Sequence, residues 1–284
     1  MNDVKEAKRS KGKRGLLSWV LFILVIAAAF ITFAVLIFLI AYILIQGVPH
    51  LRPSLFAFKY TSDNVSMMPA IINTLFITLV SLLMAVPLGI GAAIYLVEYA
   101  KRGNKLVNLV RITAETLSGI PSIVYGLFGM LFFVINLKLG LSVLSGSLTL
   151  AIMILPLIMR TTEEALKAVP DSFREGSFGL GAGRVRTIFR IVLPSAVPGI
   201  LAGVILAIGR IVGETAALMY TAGTVTKIAG NLSAPGRTLA YHMYNLSGEG
   251  LHTNEAYATA VVLLVVVVLI NFLSGMVAKA LAKN

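Results

Sequence analysis

The sequence predicts an all-α polytopic membrane protein with about six transmembrane helices and both termini in the cytoplasm. Three observations predict it. The 284 residues are 58% hydrophobic and only 13% charged, with a mean hydropathy of +0.91, beyond the range of ordinary soluble domains. Apolar residues recur in runs of about 20, the length that crosses a bilayer as a helix. The basic residues alternate between the connecting segments. Of 24 Lys and Arg, eighteen fall in predicted inside segments and five in predicted outside loops, leaving Arg210 within a span. This asymmetry orients the chain and accounts for the net charge of +12 better than nucleic-acid binding does.

Residues 1–15 form a basic tail with Lys5, Lys8, Arg9, Lys11, Lys13 and Arg14, expected to be disordered against an anionic inner leaflet. Residues 16–67 hold the first span and an outside loop. The apolar run from Leu16 to Ile45 continues well past Ala27-Ala28-Ala29, which favours an uncleaved helix over a signal peptide. A core of residues 68–280 follows. Its first span, Met68 to Val97, is interrupted by Pro87 and Gly89, so neighbouring helices must satisfy the freed carbonyl. A basic turn carries Lys101, Arg102 and Lys105. The next span, about Leu109 to Ile135, contains Gly119, Ile120-Pro121, Gly126 and Gly129 and is expected to be bent or broken. The fourth, about Gly146 to Met159, has Pro156 near its inner end and extends helically toward Ala168. The fifth runs from about Ser195 to Met219 and the sixth from about Ala256 to Ala278, separated by a long outside loop from Tyr220 to Glu255. Residues 281–284 form a short cytoplasmic tail.

The longest polar interval between spans is 162–194. Pro170 ends the preceding helix. Ser172 and Glu175 have the S-x-x-E spacing of a capping box. Gly179, Gly181 and Gly183 allow a turn with positive φ, and Arg184 to Leu193 leads back to the membrane. The predicted unit is a short exposed helix, a glycine turn and a return segment.

Charges inside spans are costly, at least about 2.5–3.5 kcal/mol at a helix centre. Arg210 stands about 15 residues into the fifth span, roughly 22 Å along a helix. Glu214 follows at i+4, on the same helical face, so the two can neutralise each other. The pair either locks helix packing or presents a guanidinium to an internal pathway, where its planar donors suit an oxyanion. Arg111 and Glu115 repeat the spacing, as an interfacial ion pair or a functional one. Arg160 ends the fourth span and snorkels or lines the pathway.

Several chemistries lack their residues. Cysteine is absent, which excludes disulfides and thiolate metal sites. His50, His242 and His252 fall in outside loops without metal-ligand spacing, so no metal site is expected. The run from Gly179 to Gly183 lacks the lysine of a P-loop, so ATP is expected to bind a partner subunit and this chain to carry no cofactor. No G-x-S-x-G turn is present, and isolated Ser118 and Tyr125 read as packing residues. The chain is not expected to be an enzyme.

Glu175-Gly176-Ser177, three residues, Gly181, nine residues, then Ile191-Val192-Leu193-Pro194 resembles the EAA loop of ABC-importer permeases, with the two alanines replaced by Gly176 and Ser177. Three further stretches resemble the phosphate-specific (Pst) permeases of that binding-protein-dependent class, of the PstA type. These are Glu115-Thr-Leu-Ser-Gly-Ile-Pro-Ser-Ile-Val-Tyr-Gly126, Arg160-Thr-Thr-Glu with Val169-Pro170, and Ala207-Ile-Gly-Arg210-Ile-Val-Gly-Glu214-Thr-Ala. The match covers about residues 70–220.

The resemblance implies a permease subunit of an ATP-driven phosphate importer in a prokaryotic plasma membrane. Glu175, Gly176, Ser177, Gly181, Ile191, Leu193 and Pro194 would then couple to an ATPase. Arg210 and Glu214, with a lesser part for Arg160, would line the phosphate pathway. The implied partners are a homologous permease of the PstC type, a dimeric ATPase of the PstB type and an external phosphate-binding protein of the PstS type. Sulfate, molybdate or phosphonate as cargo remains open, as does an ion-coupled carrier or an enzyme acting on lipid phosphate.

Overall fold

The computed structural model of the chain describes the backbone of residues 2–101 and 103–282, with the side chains of residue 15 and of 17–276 apart from Arg102. The basic side chains of the 1–15 tail, Arg102, Lys279 and Lys283 lie outside the described residues.

Every regular element described is helical. Five helices are long and apolar enough to cross a membrane: Leu17–His50, Met68–Tyr99, Val143–Lys167, Arg184–Val212 and Thr253–Met276. A bent pair, Lys105–Ser118 with Ser122–Asn136, supplies the sixth crossing if the two count as one span.

α1 (Asn2–Gly47) begins in the basic stretch. That stretch therefore has helical backbone rather than the disorder expected for it, in keeping with the helix propensity of its Lys, Arg, Glu and Ala residues. The apolar part of α1 is exposed along its length. It meets α11 (Thr253–Ala282), where the Tyr42 and Tyr257 hydroxyls stand 3.3 Å apart.

α2 (Met68–Ile94) runs unbroken through Pro87 and ends in a π-helical turn, Tyr95–Tyr99. α3 (Lys105–Ser118) and α4 (Ser122–Gly129, continued by a π-helical stretch, Met130–Asn136) are the broken span. Their axes differ by 102°. Pro121 has no N–H to continue α3 and forces Ile120 out of the helical region. The Tyr125 hydroxyl then donates to the Leu117 carbonyl at 2.8 Å, tying the two arms across the break.

α5 (Val143–Lys167) is the axis of the bundle. It packs against α2, α4 and α8 (Leu193–Val212), and 67% of its membrane window is buried, against none for α1. Small residues permit this closeness, since apolar side chains gain little by leaving lipid. A Cβ on Gly89 of α2 would stand 2.7 Å from Ile158 of α5.

The fifth span is displaced from its expected bounds. It starts at α7 (Arg184–Thr187), passes through a π-helical turn, Ile188–Val192, and ends with α8 at Val212. Pro194 explains the wide turn, because its ring crowds the preceding carbonyls and it offers no N–H to them. After Gly213 the chain turns and a short helix, α9 (Ala216–Met219), crosses α4. The expected outside loop is not irregular throughout. It contains α10 (Leu239–Glu249), largely buried along one side, and is pinned to α2 by Asn73, which bonds Ala229 N, Lys227 O and Arg237 O.

Candidate functional site

The 162–194 loop folds as α6 (Asp171–Gly179), a turn and the return helix. The capping box does not form. Pro170 is the N-cap, extended at φ −57° and ψ 140°, and no side chain caps α6. The extended Pro170 starts the helix at Asp171, so Ser172 lies within the first turn instead of ahead of it. Of the three turn glycines only Gly181 has positive φ, +81°. The two positions where the EAA pattern has alanine differ in role. Gly176 faces open space. Ser177 is buried, with its Oγ 2.8 Å from Thr187 Oγ1. Thr187 donates to the Gly183 carbonyl, so Ser177 is the donor to Thr187. This joins α6 to the foot of the fifth span. Glu175 is exposed, as is Pro194, while Ile191 and Leu193 are half-buried. The anchoring apolar side chains are Ile188 and Val192, packed with Leu166, Val169, Leu96 and Val107.

Arg174 was not singled out by sequence, yet it holds α6 in place. Its Nη2 reaches Glu98 Oε1 at 2.7 Å and the Leu166 carbonyl at 3.0 Å, and its Nη1 reaches the Val169 carbonyl at 2.8 Å. Both partners of the ion pair are largely buried, at 15% and 9% side-chain exposure. Carbonyls at the end of α5 and a carboxylate at the end of α2 therefore share one planar cation, a use that suits arginine over lysine. Glu98 and Arg174 are 76 residues apart, and no local spacing signals the pair.

Arg111 does not pair with Glu115 at i+4. It reaches across to Glu163 of α5 at 2.7 Å, and Lys167 binds the same oxygen at 2.6 Å. Glu115 is exposed, whereas the Glu163 side chain is only 8% exposed, so the carboxylate buried at the α3–α5 contact draws the cations. Glu163 sits in the Arg160-Thr-Thr-Glu stretch but was assigned no role. Arg160 bonds Glu164 at 3.1 Å with both side chains mostly exposed. Arg111, Glu115 and Arg160 nevertheless converge on one cavity of about 200 Å³, together with Glu163, Glu164 and Lys167.

Arg210 and Glu214 are not an ion pair. Arg210 lies in the last turn of α8, and the helix ends at Val212 with Gly213 as its cap. Glu214 is therefore off the helix, and its Oε1 accepts from Ala217 N at 3.0 Å at the start of α9. Arg210 is half-buried and has no carboxylate within 4.0 Å among the described residues. Its position in the last turn of α8 puts it at the helix end that carries partial negative charge. Arg210 does not line the cavity that holds Arg160. Gly126 of α4 marks how closely the neighbouring span approaches, since a Cβ there would stand 2.9 Å from Ala217 Cα.

The described chain is a polytopic helical bundle with a broken span, a clamped helix at one end and an arginine at the end of a membrane helix. A family model described as "Binding-protein-dependent transport system inner membrane component" matches residues 85–284, and the chain belongs to that family. It is 35% identical over 278 residues to the probable ABC transporter permease protein YqgI of Bacillus subtilis, covering 88% of this chain and 92% of the relative. It is 35% identical over 213 residues to the phosphate transport system permease protein PstA 1 of Mycobacterium tuberculosis, covering 73% and 69%. Among solved structures, a chain of a bacterial alginate ABC transporter in complex with alginate pentasaccharide-bound periplasmic protein superposes with a TM-score of 0.62 at 18% identity. That match covers 90% of this chain and 96% of the other, and it shows the shared fold.

Proposed function

We propose that the chain is one permease half of an ATP-driven importer of inorganic phosphate. A homologous second permease completes the pathway, a dimeric ATPase docks beneath α6, and an external phosphate-binding protein delivers the anion. The 162–194 end faces the cytoplasm in this reading. ATP-driven closure pushes α6. Two connections then carry the push into the bundle: Arg174 to the ends of α2 and α5, and Ser177–Thr187 to the base of the fifth span. The fifth span carries Arg210 near its far end.

The observation that carries the reading is the Arg210 guanidinium, half-buried in a membrane span and free of any carboxylate partner among the described residues. Its planar donors match an oxyanion. The α8 carbonyls temper its charge, which favours release as well as entry. Glu214, held by Ala217 N, adds a second tempering charge near the break. Arg160 contributes field at the cytoplasmic cavity, and the Arg111–Glu163–Lys167 set holds α3 to α5. The kinship to relatives named for phosphate transport supports the choice of cargo.

The test is phosphate uptake by the assembled complex with Arg210→Ala and Arg210→Lys, with ATP hydrolysis followed in parallel. A hydrogen bond to a charged group contributes about 1.5–3 kcal/mol, so Arg210→Ala is expected to slow uptake roughly tenfold or more with assembly intact. Arg210→Lys is expected to keep part of the rate. Unchanged uptake in both variants overturns the pathway role.

A further inference from the structure

A second and larger cavity, about 810 Å³, opens where the end of α2, the start of α3 and α6 meet. Its wall is basic. Glu98 and Asp171 lie in it, and both are engaged by Arg174. Arg111 and Lys167 share Glu163 behind it. That leaves Lys101, Lys105 and Arg184 facing the cavity with no acidic partner among the described residues. Arg184 rests over the Tyr99 ring at 5.4 Å. The Nε of Arg111, which also lines the cavity, is buried without a hydrogen-bond partner.

The surroundings are apolar in a way a water-filled anion site does not need. α3 lies at 102° to α4, across the direction of the spanning arm. Leu106, Leu109 and Ile112 on α3 are 69%, 58% and 53% exposed. Tyr95 and Tyr99, at the end of α2, are also exposed, as side chains of an interfacial belt are. A helix with basic residues at its start and an open apolar side, lying crosswise, fits the boundary between headgroups and acyl chains.

We infer that this cavity binds the phosphate headgroup of an anionic phospholipid of the inner leaflet, with the acyl chains laid on the open apolar side of α3. The inference rests on the proposed orientation, which puts the 162–194 end at the cytoplasmic surface. Basic pockets between membrane helices on that side suit such headgroups. The bound phosphate neutralises Lys101, Lys105 and Arg184 and so lets α3 and α6 stay close to the Arg174 clamp. Anionic lipid is then a requirement for full coupling.

The test uses the complete complex in vesicles of phosphatidylcholine alone or mixed with phosphatidylglycerol. Lipid retained after mild solubilisation is measured by mass spectrometry for the wild type, Lys101→Gln/Lys105→Gln and Lys101→Arg/Lys105→Arg. The wild type is expected to retain phosphatidylglycerol in preference to phosphatidylcholine. The glutamine pair is expected to lower that retention about tenfold, and the arginine pair to preserve it. Equal retention of both lipids by the wild type overturns the inference, and so does undiminished retention by the glutamine pair. Inorganic phosphate is added in a separate arm. If it displaces the lipid, or binds saturably in phosphatidylcholine vesicles and is lost in the glutamine pair, the cavity takes free phosphate instead, and the lipid assignment fails. Retention is read without transport, so its failure leaves phosphate uptake intact. Wild-type complex that retains the lipid but moves no phosphate sinks only the transport reading.

Discussion

Arg210 and Arg111 each stand four residues before a glutamate, and neither binds it. For Arg210 the reason is a helix end: Gly213 terminates α8 before Glu214 reaches the shared face. For Arg111 it is burial: Glu163 is the carboxylate withdrawn from water, so cations collect there. Sequence position singled out these charges but could not identify their partners, because partners come from packing between helices. Glu163 has the sharper consequence. Glu163→Gln leaves Arg111 and Lys167 facing each other without their shared anion. A drop of about 2 kcal/mol in unfolding free energy is expected, moderated by the exposed ends of both cations. Glu164→Gln, which breaks only the exposed pair with Arg160, should cost less than about 0.5 kcal/mol. Thermal unfolding of the two purified variants distinguishes them, and equal losses would contradict a special role for the buried carboxylate.

α6 shows what a motif conveys and what it omits. Pro170 and the turn glycines located the helix, the glycine turn and the return segment, and the E-A-A-like pattern lies on the same stretch. The side chains that fasten α6 are Arg174 and Glu98, outside the pattern, and Ser177, one of its departures. Arg174→Ala should leave the exposed Glu175 surface able to hold the ATPase while lowering phosphate moved per ATP several-fold. Co-purification and the transport-to-hydrolysis ratio measure this, and an unchanged ratio would contradict the clamp. α10 offers a test of a different kind. His242 has no exposed surface. Burial first, and the Arg237 charge second, lower its pKa from 6.5 to about 3. The unfolded chain thus binds a proton below 6.5 that the folded one refuses until about 3. The stabilisation is fully present above 6.5 and is lost as pH falls toward 3, by up to about 1.4 kcal/mol per unit. His242→Gln should flatten the acid side of a stability profile; an unaltered slope would contradict the burial argument.

At the scale of the whole molecule, apolar runs made the five long spans legible, and a sixth if the bent pair counts as one. Helix ends were less so. Ser195 to Met219 is apolar apart from Arg210 and Glu214 and a few small polar residues, and reading it as one span hid the break at Gly213–Thr215 and the separate helix α9. Pro194 hid the opposite fact, that the fifth span begins at Arg184, because a π-helical turn absorbs the proline. The bend at Ile120-Pro121 was legible because proline chemistry acts locally, whereas α10 was masked by Gly, Asn, Ser and Pro on either side. Of the candidate site, the loop helix and the arginines were readable and their couplings were not, since those join segments distant in sequence. The central claim is that the bundle moves phosphate when a separate ATPase acts on α6. The most direct measurement is labelled phosphate uptake into vesicles holding the complete complex and its binding protein. It is made with and without ATP, with sulfate or molybdate as competitors, and beside Glu175→Arg. The account predicts uptake that requires ATP, resists both competitors and collapses in Glu175→Arg as the ATPase is lost. Uptake that follows an ion gradient without ATP, or persists in Glu175→Arg with the ATPase still bound, would contradict it.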